Sequence, residues 1–340
     1  MRVRDYLRWA AALTLAGLAA WLSVRQVRWP ALGEVVRGAH LAPLALALAA
    51  ILATTAAKAA RWAVLLRPCR PRVSTGRLVR VLLVGQMANS LLPRLGDGLR
   101  AVLLGPQATG GVPAVVGTLV VEKALDGVMG LLLLLALALW TPLPTWLRAP
   151  MLALALLTAV LLALLVAASL ALTTPVPSPA AALTGERVRV RGSLSARLER
   201  LLDAFALGVS LLRTPGDAAL ALGLSALIWL LAGLTNVVAL QALQIDAPAW
   251  ASWLVVVTVY AATFLPTVPA QLGVFEYGAV LSLSAAAVAP EPALAFALVL
   301  HLLVQLPPAV LGPLSMLAEG LTWARLTATV RHPLEHDHAP

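Results

Sequence analysis

Residues 85–104 read GQMANSLLPRLGDGLRAVLL, an otherwise apolar run that contains an Asn, a Pro, three Gly, two Arg and an Asp. Pro93 removes a backbone donor and clashes with the turn before it. Gly96 and Gly98 weaken a helix further, so the stretch reads as a membrane helix broken at these three positions. Irregular backbone at membrane depth persists only where it is buried in protein or lines a wet cavity. Asp97, flanked by Arg94 and Arg100, is therefore expected to face such a cavity. Residues 264–283, FLPTVPAQLGVFEYGAVLSL, repeat the order: Leu265-Pro266, then Gly273, then Glu276, then an apolar run. Two interrupted apolar segments in corresponding halves of a chain point to a transporter-like binding site near the midplane.

The composition agrees with a membrane setting. Hydrophobic residues make up 61% of the 340 and charged ones 12%, against about 25% charged in ordinary soluble domains; mean hydropathy is +0.90. One cysteine, Cys69, excludes an internal disulfide and a cysteine-rich metal site. The net charge of +10 resembles a nucleic-acid signature, but the basic residues lie beside apolar spans, where anionic lipid headgroups are the natural counter-charge. Nucleic acid is not an expected partner.

Outward from the quoted stretch, six spans are expected, at about 9–24, 41–66, 114–140, 151–172, 214–243 and 292–317, each long enough or nearly so to cross a bilayer. The interrupted segments form two hairpins, 81–104 and 250–289. Residues 174–213 divide the halves, 1–173 and 214–340. This connection holds a Pro/Ser/Arg-rich run and then, at 194–213, an amphipathic helix expected to lie on the membrane surface. Thr214-Pro215-Gly216-Asp217 reads as a helix start with Thr214 as N-cap. With both termini cytoplasmic, sixteen basic residues fall inside, four outside (Arg25, Arg28, Arg37, Arg148), and five in or near the membrane. That bias obeys the positive-inside rule. It requires each hairpin to enter and leave on one side, the first from the cytoplasm and the second from outside. The expected fold is thus all-α: one polytopic domain in the cell membrane, with two opposed re-entrant hairpins in an inverted repeat.

Charged residues inside apolar spans are costly and mark function or pairing. Glu122 and Asp126 share a helical face, with Lys123 between them; they bind a ligand or pair internally with Arg94 or Arg100. Lys58 and Arg61 either snorkel to headgroups or face a substrate. His301 stands isolated on an apolar helix and reads as a satisfied core residue. The sequence has no metal-ligand cluster, phosphate-cradling motif or nucleophile beside a base, so no metal, cofactor or catalytic residue is assigned.

The order Arg61-Trp62 with Leu65-Leu66, Asn89, Leu92-Pro93-Arg94 with Gly96-Asp97 and Arg100, Glu122-Lys123 with Asp126, and Leu265-Pro266 with Leu272-Gly273-Val274 and Glu276 resembles the membrane region of the lysylphosphatidylglycerol synthase/flippase family, over about residues 8–320. The resemblance implies re-entrant helices and movement of a phospholipid or lipid-linked headgroup between leaflets. It also implies a translocation site at Arg61, Asn89, Pro93, Arg94, Asp97, Arg100, Glu122, Lys123, Asp126, Pro266, Gly273 and Glu276. The partner would be an anionic phospholipid or lipid-linked sugar, and a homo-oligomer stays open. Val268-Pro269-Ala270-Gln271 and Phe275 stand where the family often has a Gly-rich turn and an Arg. The 340 residues leave no room for the soluble aminoacyl-transferase domain of the bifunctional relatives, so lipid aminoacylation is not expected. A carrier is preferred to an enzyme; a membrane-embedded transferase using Asp97 or Glu276 as base, and a non-transporting scaffold subunit, are the alternatives.

Overall fold

Helix pairs every backbone N–H and C=O within one apolar segment, which lipid demands, and the Leu-, Ala- and Val-rich runs of this chain adopt it. The computed structural model describes residues 3–69, 73–91, 95–141, 144–171, 194–262 and 268–321. Its helices are α1 (Val3–Val24), α2 (Trp29–Arg37), α3 (Leu41–Leu65), α4 (Thr75–Leu91), α5 (Leu95–Leu104), α6 (Gly111–Trp140), α7 (Arg148–Ala171), α8 (Leu194–Val209), α9 (Pro215–Ala242), α10 (Ala249–Ala262), α11 (Val274–Ser284) and α12 (Pro290–Ala318). No strand occurs among the described residues. Four helical segments are long and apolar enough to cross a membrane: α3, α9, α12 and Thr145–Ala167, which holds most of α7. Leu13–Val24 and α10 are shorter apolar helices. The chain is an all-helical, multi-pass membrane protein. Of the six expected spans, those at α1 and α6 are not among the four. The described apolar part of α1 is short, and α6, although 30 residues long, carries three ionisable side chains near its middle, Glu122, Lys123 and Asp126.

Each interrupted segment forms a pair of helices. In the first, α4 and α5 flank residues 92–94, so Pro93 and Arg94 lie outside the described residues. Gly96 and Gly98 sit within helical α5, which corrects the expectation that they break the backbone. Gly96 has another purpose, because a Cβ there would run into the Gly85 carbonyl of α4. A Cβ on Gly85 would in turn come within 2.7 Å of the Arg100 stem. These two glycines let the arms of the hairpin touch. The first arm also begins earlier than expected, at Thr75, because the helix presents Arg77 and Arg80, one turn apart, to Glu319 at the end of α12 (2.8 and 2.7 Å).

In the second pair, α10 and α11 flank residues 263–273, and Pro266 lies outside the described residues. Pro269–Gln271 form a 3-10 turn in which Ala270 and Gln271 have φ of 56° and 59°, a left-handed conformation that strains residues with a Cβ. Gly273, at φ 82°, begins α11, and α1 packs so closely there that a Cβ would strike the Ala16 carbonyl.

Neighbours recur between the halves. α3 lies along α9; α4 packs on α12 and α10 on α6; α5 meets α6 as α11 meets α12. The connection expected as a loop between α1 and α3 contains α2, begun by Pro30 and packed on α12. α8 differs from expectation too: its Gly208 and the Phe205 carbonyl press against Ala114 and Gly117 of α6, a close approach of the kind small residues allow. The helix is therefore covered by protein, and not only laid on a membrane surface. Thr214 occupies the N-cap of α9 but makes no side-chain capping bond, while Asp217 pairs with Arg67. α7 shows Leu152, Leu156, Val160 and Leu164 at its surface, one every four residues, as a lipid-facing stripe requires. α12 contains Pro307, Pro308 and Pro313.

Candidate functional site

The charged residues of α3, α5 and α6 meet in one cluster. Arg61 is 1% exposed and donates from Nη1 to Asp126 (2.6 Å) and to the Ser225 hydroxyl of α9 (2.9 Å); its Nη2 lies 3.9 Å from Glu122. Arg61 thus does not snorkel. Arg100 grips Glu122 with both terminal nitrogens, at 3.2 and 2.8 Å, and its guanidinium lies 4.1 Å from the Trp62 ring centroid, a cation–π contact. The Trp62 indole N–H donates to Thr118. Asp97 stands half in and half out, 3.5 Å from Arg100 and 3.3 Å from Lys123. Two-pronged arginine–carboxylate pairing fixes orientation as well as charge. Lys58, one turn before Arg61, makes no ion pair among the described residues. Among the described residues, four cations (Lys58, Arg61, Arg100, Lys123) against three carboxylates (Asp97, Glu122, Asp126) leave this wall one positive charge in excess.

Lys58 and Asp126 carry that wall to a cavity of about 420 Å³. Gln86, Asn89 and Ser90 of α4 line it on one side; Ala270, Gln271 and Phe275 of the second hairpin line it on another. α12 contributes His301, Gln305, Pro307 and Pro308, and α9 and α10 contribute Trp229, Asn236 and Tyr260. Aliphatic side chains of α10 and α12 make much of the remainder. A mostly apolar hollow with a few convergent polar groups is the usual form of a small-ligand site.

Glu276 lies at the third residue of α11, as Asp97 lies at the third of α5. Their surroundings differ. Glu276 Oε2 accepts the Gly273 N–H at 2.7 Å, which satisfies an orphan donor of the helix start. Its Oε1 lies 2.5 Å from His301 Nδ1, and among the described residues it pairs with no arginine or lysine. In the first hairpin a different N–H of the helix start, that of Gly96 at the second position of α5, is taken by Asn89 Oδ1 at 2.8 Å. His301 is buried, as expected, but not isolated: its ring stacks on Phe275 at 4.3 Å and its Nε2 lies 3.3 Å from Gln305 Nε2.

Of the twelve residues expected at the site, Pro93, Arg94 and Pro266 lie outside the described residues. Arg61, Asp97, Arg100, Glu122, Lys123 and Asp126 form the charged cluster, and of these Asp126 lines the cavity. Asn89 lines it too while capping α5; Glu276 stands behind His301, and Gly273 sits at the α1 contact. Sequence reasoning missed Ser90, Tyr260 and the pairing of His301. One signal was available: His301 and Gln305 are four residues apart in an apolar helix and so share a face. The bond from His301 to Glu276, 25 residues away, had no local signal. Among the described residues, no group of three His, Cys, Asp or Glu could hold a metal ion.

Residues 9–312 match the model of the family described as Lysylphosphatidylglycerol synthase TM region. No curated protein and no solved structure matches the chain.

Proposed function

The chain belongs to the lysylphosphatidylglycerol synthase TM region family, and on that premise we propose that it moves a lipid between leaflets, passing the headgroup through the cavity while the acyl chains stay in the bilayer. The observation that carries this reading is the cavity itself. Both broken helical pairs supply its walls, and its about 420 Å³ lies toward the small end of ligand sites, which run from about 300 to 1,000 Å³. That size suits a headgroup and excludes two acyl chains.

In this reading Lys58 attracts the phosphate of an anionic phospholipid or lipid-linked sugar. Arg61, Arg100 and Lys123, held by Asp97, Glu122 and Asp126, form a fixed charged wall behind it, and Asn89 supplies hydrogen bonds. The residues around Pro93, Arg94, Pro266 and Gly273 allow the two hairpins to enter from opposite sides, as an inverted repeat in the cell membrane with both termini cytoplasmic. The recurrence of neighbours between α3–α6 and α9–α12 supports that arrangement, since alternating-access carriers are commonly built from such repeats.

Purified protein in liposomes tests the proposal. Fluorescent phosphatidylglycerol should equilibrate between leaflets faster than in protein-free vesicles, and Lys58→Met should slow it by about tenfold, the effect of losing roughly one charged hydrogen bond to phosphate. Redistribution no faster than in empty vesicles refutes the reading. A lipid of altered mass without redistribution favours a transferase.

A further inference from the structure

The side chain of Gln305 joins three parts of the molecule. Its Oε1 accepts the Ser90 hydroxyl of α4 at 2.8 Å, and its Nε2 lies 3.3 Å from the Ala270 carbonyl in the second hairpin's turn and 3.3 Å from His301 Nε2. A carbonyl can only accept, so the amide nitrogen must face Ala270. Its two hydrogens then go to Ala270 and to the imidazole. His301 Nε2 is therefore an acceptor in this state, and Nδ1 carries the ring hydrogen that Glu276 Oε1 receives at 2.5 Å. The histidine is neutral, its tautomer set by the partners on either side.

We propose that the chain Glu276–His301–Gln305 is a proton-binding site that couples passage of an anionic headgroup to co-movement of one proton; this rests on the flippase reading above. A proton arriving from cavity water forms a new N–H at His301 Nε2, opposite the amide hydrogens of Gln305. Two donors cannot face one another across 3.3 Å, so the amide turns away. Turned over, the amide accepts the new N–H through Oε1 and sets Nε2 toward the Ser90 oxygen, whose hydrogen goes to the Gln86 carbonyl at 3.2 Å, while the Ala270 carbonyl loses its donor. That carbonyl belongs to a turn whose Ala270 and Gln271 are already strained at φ 56° and 59°. Strained backbone persists only where its surroundings hold it, so one protonation loosens the second hairpin's turn and reverses the hydrogen bond to Ser90 of the first.

The charge change has the matching sign. Without the proton, Glu276 leaves one negative charge behind the His301 wall, where it repels a phosphate. With it, carboxylate and imidazolium cancel, and the ring gains from its stack on Phe275. From the elements around α12, the titratable groups on this cavity are Lys58 of α3, Asp126 of α6 and Tyr260 of α10, all on its lining. α4, α9 and the 3-10 turn present only uncharged groups to it. α2 meets α12, whose Glu291 pairs with Arg28 about 15 Å along the helix from His301. No charged side chain of α1 is among those described. Glu276 is thus the one charged group in hydrogen-bond contact with His301 among the described residues. An anionic headgroup and the proton enter together, and the proton leaves Nε2 for water on the opposite side.

The test uses wild type and His301→Gln in liposomes with fluorescent phosphatidylglycerol, the membrane potential clamped and a gradient of about one pH unit imposed. One proton per singly charged lipid predicts enrichment toward the alkaline leaflet approaching about tenfold in wild type. His301→Gln, whatever its rate, should end near equal distribution. Equal distribution in wild type, or the same enrichment in the variant, overturns the coupling and leaves the flippase reading standing. If neither protein moves lipid faster than empty vesicles, the flippase reading fails and co-transport with it. The proton-binding site is then judged on ¹⁵N NMR of the His301 ring in detergent. That resonance, identified by its absence in His301→Gln, should start as the Nδ1-protonated form and pass to imidazolium on acidification. A resonance that does not move rejects the site.

Discussion

Replacing Glu122 by Gln keeps the shape of the side chain and removes its charge, which makes it a direct probe of the charged wall. Glu122 is 7% exposed and holds Arg100 at 2.8 Å and Arg61 at 3.9 Å. At an effective dielectric constant of about 20 these attractions are worth about 6 and 4 kcal/mol. Drying each ion costs several kcal/mol and takes back a large part. After the change Arg61 keeps Asp126 at 2.6 Å, but Arg100, 4% exposed, retains only Asp97, at 3.5 Å, as a counter-ion among the described residues. Stranding a buried charge costs about 3–5 kcal/mol, and the remaining Asp97 contact places the expected loss near the lower figure. Thermal unfolding in detergent measures it. Asp97→Asn is the contrast, since Asp97 is partly exposed and its pairs are longer; it should cost about 1 kcal/mol or less. The pair variant Arg100→Met with Glu122→Met removes both ions and keeps a polarizable contact on Trp62, so it should unfold above Glu122→Gln, within about 2 kcal/mol of wild type. Wild-type unfolding in Glu122→Gln, or a pair variant as damaged as the sum of its singles, would refute the claim that these ions act as one unit.

Two neighbouring glycines should respond in opposite directions. Gly96→Ala sets a methyl against the Gly85 carbonyl and should lower stability by about 1–3 kcal/mol, whereas Gly98→Ala, with open space around it, should raise it by up to about 1 kcal/mol through helix propensity; thermal unfolding of both separates the hairpin contact from a general intolerance of α5. Burial pushes the Cys69 thiol up to about 11, so the thiolate stays scarce below that pH and maleimide labelling should be negligible at neutral pH, appearing as pH rises toward 11. Single cysteines at positions 189 and 246 can therefore be read in the native background, and they should label from opposite sides of the membrane; labelling from one side contradicts the inverted arrangement.

The helical membrane class was legible because long apolar runs with so few charges would be insoluble in water and are at home in lipid. The two interruptions were legible for the same reason: proline removes a backbone donor from runs that lipid holds as helix, and the described α-helices end at Leu91 and Ala262 and resume at Leu95 and Val274. The ends of the elements were less so. Arg77 and Arg80 looked like loop residues until Glu319, some 240 positions away, gave them a partner, and only the packed hairpin reveals that Gly96 serves contact and not a break. At the site, Glu122 and Asp126 could be placed on one face by spacing alone, but the choice between pairing and free carboxylates depended on α3 and α5 meeting α6. Asp97 and Glu276 looked equivalent in sequence and are equivalent in helical position. What distinguishes them is a histidine on a different helix, and no local pattern encodes that.

The adjacent prolines of α12 bear on how this cavity should be surveyed. Within an α-helix the carbonyl of Val304 would accept from residue 308, or from residue 307 in a tighter turn; both are proline, and neither has an N–H. Its oxygen is thus denied a helix donor on a residue that lines the cavity, one turn from His301. Such an oxygen can receive a hydrogen bond from a sugar hydroxyl or an ammonium group. Alanine scanning would pass over it, since replacing the Val304 side chain leaves the oxygen in place. Pro308→Ala, which returns an N–H to compete for that oxygen, is the substitution that reaches it.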